Sequence, residues 1–207
     1  MKLHLGCGTH YRKGWLNVDL NNKCKVDKVV NLQEMPLPFR DNCFTHIYTA
    51  HTIEHIRGDL LPLMIELWRI LKPNGFLEIR VPHFSHYSSL DGFTHKQVFS
   101  INGFAAMTDL SFIDAVPGTP EFKKPLFKLV SAKLMHQRVE DNNQILVDKN
   151  FYYYIAKFIS FLANLNTNLC EKIWCYWVGG FQEMQIVLKK VPQEMKLKNK
   201  YWEDIVN

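Results

Sequence analysis

The sequence predicts an α/β domain in which a mostly parallel sheet carries helices on both faces. Three observations lead there. Apolar runs of strand length alternate with a helical pattern, the arrangement that builds parallel sheets through crossover connections. A glycine pair, Gly6 and Gly8, stands directly behind the first apolar run, Leu3-His4-Leu5. An acidic residue, Asp19, closes the second run, Leu16-Asn17-Val18.

The strand candidates, in chain order, are residues 2–5, 16–19, 28–32, 46–50, 76–81, 126–134 and 183–189. The clearest helix is 60–71, where Leu60, Leu63, Met64, Leu67, Trp68 and Leu71 recur at spacings of three and four, the mark of one buried stripe. Pro62 falls in its first turn, where no helical hydrogen bond is lost, and Pro73 and Gly75 stop it. Only about ten residues separate Gly8 from Asp19, too few for a full crossover helix. The first crossover is therefore expected to be a loop or a single turn.

Gly6 and Gly8 present no Cβ, so a ligand can approach their backbone closely. An ionised carboxylate offers two acceptor oxygens, which suits Asp19 to the paired hydroxyls of a ribose. The two features describe a nucleoside-binding edge. The chain continues with Leu37-Pro38-Phe39-Arg40-Asp41-Asn42-Cys43-Phe44, then Ala50-His51-Thr52-Ile53-Glu54-His55, then Leu71-Lys72-Pro73-Asn74-Gly75 before an apolar strand. In order and spacing, roughly the first 110 residues resemble the class I S-adenosylmethionine-dependent methyltransferases, in particular the small type 11 branch.

That resemblance implies a Rossmann-like seven-stranded sheet with the last strand inserted antiparallel beside the sixth. It implies S-adenosyl-L-methionine as cofactor and S-adenosyl-L-homocysteine as product. Gly6, Cys7 and Gly8 would form the cofactor turn, with Cys7 a small filler, and Asp19 would hold the ribose. Asn31 and Leu32 would meet the adenine edge, and Ala50 and His51 would lie beside the sulfonium. His4 stands where relatives carry an acidic residue, and Asn31 where they carry aspartate. Relatives also have a helix before the first strand that helps cover the cofactor. Here the first strand begins almost at Met1, so cover is expected from the long connections 82–100 and 137–180.

With 207 residues, 47% of them hydrophobic, one domain with a sizeable core is expected, spanning 1–192 and followed by a basic tail, 193–207. A net charge of +5 tolerates an anionic substrate but is no concentrated basic stripe, so no nucleic-acid partner is expected. Five cysteines, without metal-like pairs, suggest reduced thiols and a cytoplasmic setting. No leader is visible, and the most apolar stretch, 151–165, is too short to span a bilayer. Oligomeric state is not legible.

The segment Val81-Pro82-His83-Phe84-Ser85-His86-Tyr87-Ser88-Ser89-Leu90-Asp91-Gly92-Phe93-Thr94-His95-Lys96 leaves the fifth strand where ligands bind. Methyl transfer from a sulfonium needs mainly alignment, but a hydroxyl acceptor gains from a base, and histidine matches neutral pH. His86, Asp91 and His95 are accordingly the catalytic candidates, with Asp91 orienting an imidazole. An ion held by His83, His86, Asp91 and His95 is an alternative, but the spacing is not metal-like and no metal ligand is assigned. A metalloprotease reading of 51–55 fails, because the glutamate does not directly follow the first histidine.

The aromatic clusters Phe151-Tyr152-Tyr153-Tyr154 and Trp174-Cys175-Tyr176-Trp177 are expected to pack in the core, with a sugar platform or lipid interface as the alternative. Similar methyltransferases with a Trp-rich helix before the last strand act in surface-polysaccharide assembly. The expected activity is methyl transfer to an oxygen or nitrogen of a small molecule, a sugar or nucleotide-sugar. Its rivals are a catalytically silent cofactor-binding protein, a protein or RNA methyltransferase, and an enzyme peripheral to the membrane that reaches a lipid-linked glycan.

Overall fold

The structure, a computed structural model, describes residues 1–90, 93–109, 124–136, 151–177 and 180–193, with the backbone of 140, 141, 144 and 145. Seven strands form the main sheet: β1 (Lys2–Leu5), β2 (Leu16–Asp19), β3 (Lys28–Val29), β4 (Phe44–Ala50), β5 (Leu71–Pro82), β6 (Phe127–Met135) and, last in the chain, β9 (Glu183–Lys190). A separate two-stranded ribbon pairs β7 (Glu140–Asp141) with β8 (Gln144–Ile145). The sheet order is β3-β2-β1-β4-β5-β9-β6. β1 to β5 pair in parallel, while β9 runs antiparallel to both β5 and β6. The expected architecture is present, including the inverted last strand.

The third strand is shorter than the expected 28–32. Val30 N still donates to Asp19 O at 3.0 Å, but at Asn31 the chain turns, its Oδ1 accepting from Gln33 N at 3.1 Å. The side chain thereby offers the backbone an alternative to the ladder. The expected helical layer is also thinner than predicted. None of the first three crossovers, 6–15, 20–27 and 30–43, holds an α-helix, because each is close to or below the dozen residues a crossover helix needs.

The fully buried Asn17 holds the first of these loops. Its Oδ1 accepts from Arg12 N at 2.8 Å, and its Nδ2 donates to Arg12 O and Trp15 O, both at 2.9 Å, and to Asp27 Oδ2 at 3.1 Å. Buried His4 lies across β1 with Nδ1 3.2 Å from Asn17 Oδ1, and burial pushes its pKa down to about 4.

α1 (Leu61–Ile70) buries nearly every side chain. Its Glu66, fully buried, accepts from Leu37 N at 2.8 Å and from Arg69 Nε and Nη2 at 2.6 and 2.7 Å. Arg69 also donates to Phe39 O at 2.9 Å and Leu37 O at 3.1 Å. The Leu-Pro-Phe segment is thus clamped by a helical i,i+3 pair. β5 starts at once after α1, pairing Leu71 with Phe44, and resumes at Phe76 after a turn in which Asn74 takes a φ of 63°.

At the far edge, α3 (Phe151–Leu165; α2 is the short Ile101–Ala105) covers β6. Asn164 accepts from Leu134 N at 2.9 Å and donates to Leu134 O at 2.7 Å, while Ser160 Oγ accepts from His136 N at 2.9 Å. These bonds satisfy an edge that would otherwise stay open. A further helical run, 167–177, follows, with a π-wound middle, Cys170–Trp174. The expectation of core packing for the aromatic clusters is overturned: Tyr153 and Cys175 are buried, but Phe151, Tyr152, Tyr154, Trp174, Tyr176 and Trp177 are all exposed. One face of α3 is needed to cover β6, and of the first cluster only Tyr153 turns inward; Trp174, Tyr176 and Trp177 lie on the separate run 167–177.

Candidate functional site

A cleft of about 610 Å³ opens where β1, β2 and β4 end. Gly6, Gly8, Asp19, Asn31, Leu32 and His51 line it, six of the eight residues expected to bind cofactor. Cys7 and Ala50 do not line it. Cys7 is buried with Sγ 3.8 Å from Gly8 O, and burial pushes its thiol up to about 11.

Gly6 and Gly8 have φ of 62° and 47°, the left-handed region that glycine occupies without penalty. At Gly6 a Cβ would also fall 2.1 Å from Thr52 Oγ1. Thr52 Oγ1 donates toward Ala50 O at 3.0 Å and Gly6 O at 3.3 Å, tying the segment after β4 to the glycine turn. Asp19 fixes the turn from the other side, its Oδ2 accepting from Gly8 N and its Oδ1 from Asn21 N, each at 2.8 Å. Each oxygen keeps a lone pair for a ligand. Apolar walls come from Val18, Leu20, Val30, Leu32 and Ile56, a slot suited to a flat base.

His51 adopts a φ of 50°, uncommon outside glycine. Nε2 stands 3.2 Å from Glu183 Oε1 and Nδ1 3.5 Å from Glu54 Oε1. These are charge contacts rather than aligned hydrogen bonds. Burial opposes a charge on the ring, yet the two carboxylates outweigh it and raise the pKa to about 9. Glu183 in turn receives Arg80 Nη2 on Oε2 at 2.7 Å, and His51 and Arg80 hold its carboxyl below the usual range. A chain of alternating charges, Arg80–Glu183–His51–Glu54, therefore runs behind the cleft and reaches its wall at His51. Glu183 and Arg80 were not among the candidate residues. The signal for them was an arginine inside the apolar run 76–81, since a buried guanidinium must be paired.

The catalytic candidates separate. His86 is drawn into the turn after β5: its Nδ1 accepts from Ser88 N at 3.2 Å and lies 2.7 Å from Ser88 Oγ. It does not line the cleft, and burial together with His136 lowers its pKa. His83 is fully buried between Glu171 Oε1, 3.0 Å from Nε2, and Ser85 Oγ, 2.7 Å from Nδ1. Asp91 lies outside the described residues.

His95 does not line the cleft either, but it stands beside its mouth, against the lining residue His55. Lys96 N and Gln97 N donate to Glu54 O at 2.7 and 3.1 Å, and Gln97 Nε2 donates to Gly58 O at 2.7 Å, docking this loop on the turn after β4. The His95 and His55 rings meet edge to face at 4.9 Å. Of the two expected covers, 82–100 contributes Phe93, Thr94 and Lys96 to the lining, and 137–180 contributes none among its described residues.

The family described as a methyltransferase domain matches residues 3–79. No curated protein sequence matches the chain. A solved S-adenosylmethionine-dependent methyltransferase from Archaeoglobus fulgidus superposes with a TM-score of 0.54 at 19% identity, covering 91% of this chain and 85% of that one. A putative sarcosine dimethylglycine methyltransferase from Galdieria sulphuraria gives 0.54 at 16% identity, covering 92% and 78%. Phosphoethanolamine N-methyltransferase 2 of Haemonchus contortus, solved with S-adenosyl-L-methionine, gives 0.54 at 14% identity, covering 92% and 48%. At such identities the structural likeness concerns the fold. The chain therefore has the fold of S-adenosylmethionine-dependent methyltransferases, inverted last strand included, and its residues 3–79 match the methyltransferase domain family.

Proposed function

We propose that the protein transfers a methyl group from S-adenosyl-L-methionine to an oxygen or nitrogen of a small acceptor, a sugar or nucleotide-sugar. The observation that carries the proposal is the two-ended cleft. One end has the glycine turn, a carboxylate with free lone pairs and an apolar slot. The other has His51, His55, Phe93 and two cations, Arg57 and Lys96. The residues present fit the cofactor: Asp19 for the ribose, Leu32 and Ile56 for the base, and the Gly6 and Gly8 backbone for the methionine part. The bound cofactor supplies an electrophilic methyl on a good leaving group.

What the chain adds is alignment and charge. Glu54 and Glu183 offset the charge on His51, so the wall can face a sulfonium. Arg57 and Lys96 suit a phosphate-bearing acceptor, and the fully exposed Phe93 ring offers an apolar face to a sugar. His55, which lines this end, and His95 beside it are the candidates to take the acceptor's proton.

The test is S-adenosylhomocysteine formation with a panel of nucleotide-sugars and free sugars. Turnover with one subset supports the proposal. Tight cofactor binding without turnover on any acceptor would favour a silent binding protein.

A second reading, a lipid-linked acceptor, is favoured by the exposed apolar side chains Phe151, Phe158, Phe161, Leu165, Ile173 and Trp177. No helix among the described residues is long and apolar enough to cross a membrane, but such a face fits lying in a bilayer surface. Flotation with anionic vesicles, lost in Phe158→Ser/Phe161→Ser, tests it.

A further inference from the structure

Glu54, His55 and His95 converge at the mouth of the cleft, one donor atom from each lying within 4.8 Å of the others. Each ring faces a backbone carbonyl through Nδ1. His55 Nδ1 lies 3.2 Å from Thr94 O, and His95 Nδ1 lies 3.3 Å from Ser89 O. A carbonyl oxygen only accepts, so each Nδ1 is the donor in its contact, and Nε2 is the nitrogen left to offer a lone pair to an ion. A backbone carbonyl behind Nδ1 is the arrangement that orients metal-bound histidines.

The carboxylate makes an independent argument. Glu54 is 1% exposed, and neither of its oxygens accepts a hydrogen bond among the described residues. Its charged neighbour, His51 Nδ1, stands 3.5 Å away. A buried carboxylate with so little hydrogen bonding is unfavourable unless a further cation offsets it.

We propose that Glu54, His55 and His95 bind a divalent transition-metal ion at the acceptor end of the cleft. Two imidazoles and one carboxylate suit zinc, manganese, iron(II) or cobalt(II) better than magnesium or calcium, which favour all-oxygen sites. Ligands held at about 2.0–2.2 Å from an ion require the three donors to draw together slightly, which side-chain rotation provides. Three protein ligands leave coordination positions open. His55 lines the cleft, so an open position can receive an acceptor oxygen, whose proton is then lost more readily to solvent. This ligand set differs from the one considered from sequence, because His83 and His86 are engaged by Glu171 and Ser88. Metal binding itself does not depend on the methyl-transfer proposal. Only the acceptor role rests on it.

The test is cobalt(II) titration of the chelator-treated, reduced full chain by calorimetry and visible absorption. Cobalt is chosen because thiolate ligation by the cysteines would announce itself as a near-ultraviolet charge-transfer band. The expected result is one equivalent bound without that band, with affinity at least tenfold weaker in His95→Gln and in Glu54→Gln and unchanged in His10→Gln. If Glu54→Gln does not fold, His95→Gln, on a half-buried loop, still decides. No binding by the wild type, a thiolate band, or affinity retained within twofold in His95→Gln would overturn the proposal. S-adenosylhomocysteine titrated in parallel separates the two questions: failure to bind it would strike the proposed function and leave the metal result standing.

Discussion

Replacing Asp19 by alanine removes two kinds of interaction that can be measured apart. Within the protein, its carboxylate accepts from Gly8 N and Asn21 N, both at 2.8 Å. Hydrogen bonds to a charged acceptor contribute about 1.5–3 kcal/mol each, but the Asn21 bond is exposed and water replaces much of it. A net loss of roughly 2 kcal/mol is therefore expected, which for a chain of this size lowers the melting temperature by about 4–8 °C. The remaining lone pairs are those assigned to the ribose. Losing them should weaken S-adenosylhomocysteine binding by at least about 1.4 kcal/mol, or tenfold. Calorimetry below the variant's melting range reads the second effect free of the first. Asp19→Asn, which keeps one acceptor oxygen, should fall between wild type and alanine in both. A destabilised Asp19→Ala that still binds within twofold of wild type would mean that Asp19 only braces the turn and that the nucleoside sits elsewhere.

Glu66→Ala should destabilise the fold by about 2–3 kcal/mol in urea denaturation, because it removes the charge-assisted bonds to Arg69 and leaves the Leu37 amide without its acceptor, while Arg69 keeps Asp41 and two carbonyls; a loss under about 1 kcal/mol would remove the clamp on residues 37–39. His51, raised to about 9 in the fold against 6.5 when unfolded, contributes stability that is fully present below pH 6.5 and is lost as pH rises through 9. Its imidazole resonances should titrate near 9, and in Glu183→Gln nearer 6.5; a wild-type value near 6.5 would contradict the ion pairing. Hydrogen exchange should show residues 93–97 gaining protection when S-adenosylhomocysteine binds, with 151–177 little changed. Protection confined to the glycine turn and Asn31 would mean that the 82–100 connection does not close on the cofactor.

The parallel half of the sheet was legible because burial on both faces writes each strand as an apolar run bounded by turn residues. β1 and β2 match their expected limits to the residue, and the carboxyl-end position of Gly6, Gly8 and Asp19 follows from that register alone. What was not legible depends on partners distant in sequence. Asn31 ends β3 through a hydrogen bond to Gln33 that periodicity does not register. Asn17 replaces a crossover helix with side-chain bonds, and nothing in a strand reading of Leu16–Asp19 reveals it. Histidine density drew attention to His83 and His86, yet loops use histidines to satisfy their own backbone, as His86 does with Ser88. His95 comes to lie beside His55 because the Lys96 and Gln97 amides find the Glu54 carbonyl, a contact across some forty residues. The exposed aromatics of 151–177 were misread because composition does not say which way a helix turns its rings.

A crystal structure of the chain with S-adenosyl-L-homocysteine tests the central claim most directly. The account predicts both ribose hydroxyls within hydrogen-bonding distance of the Asp19 carboxylate, the base against Leu32 and Ile56, and the sulfur facing His51 and Thr52. A nucleoside bound outside this cleft, or no binding in solution at concentrations that saturate related enzymes, would contradict it.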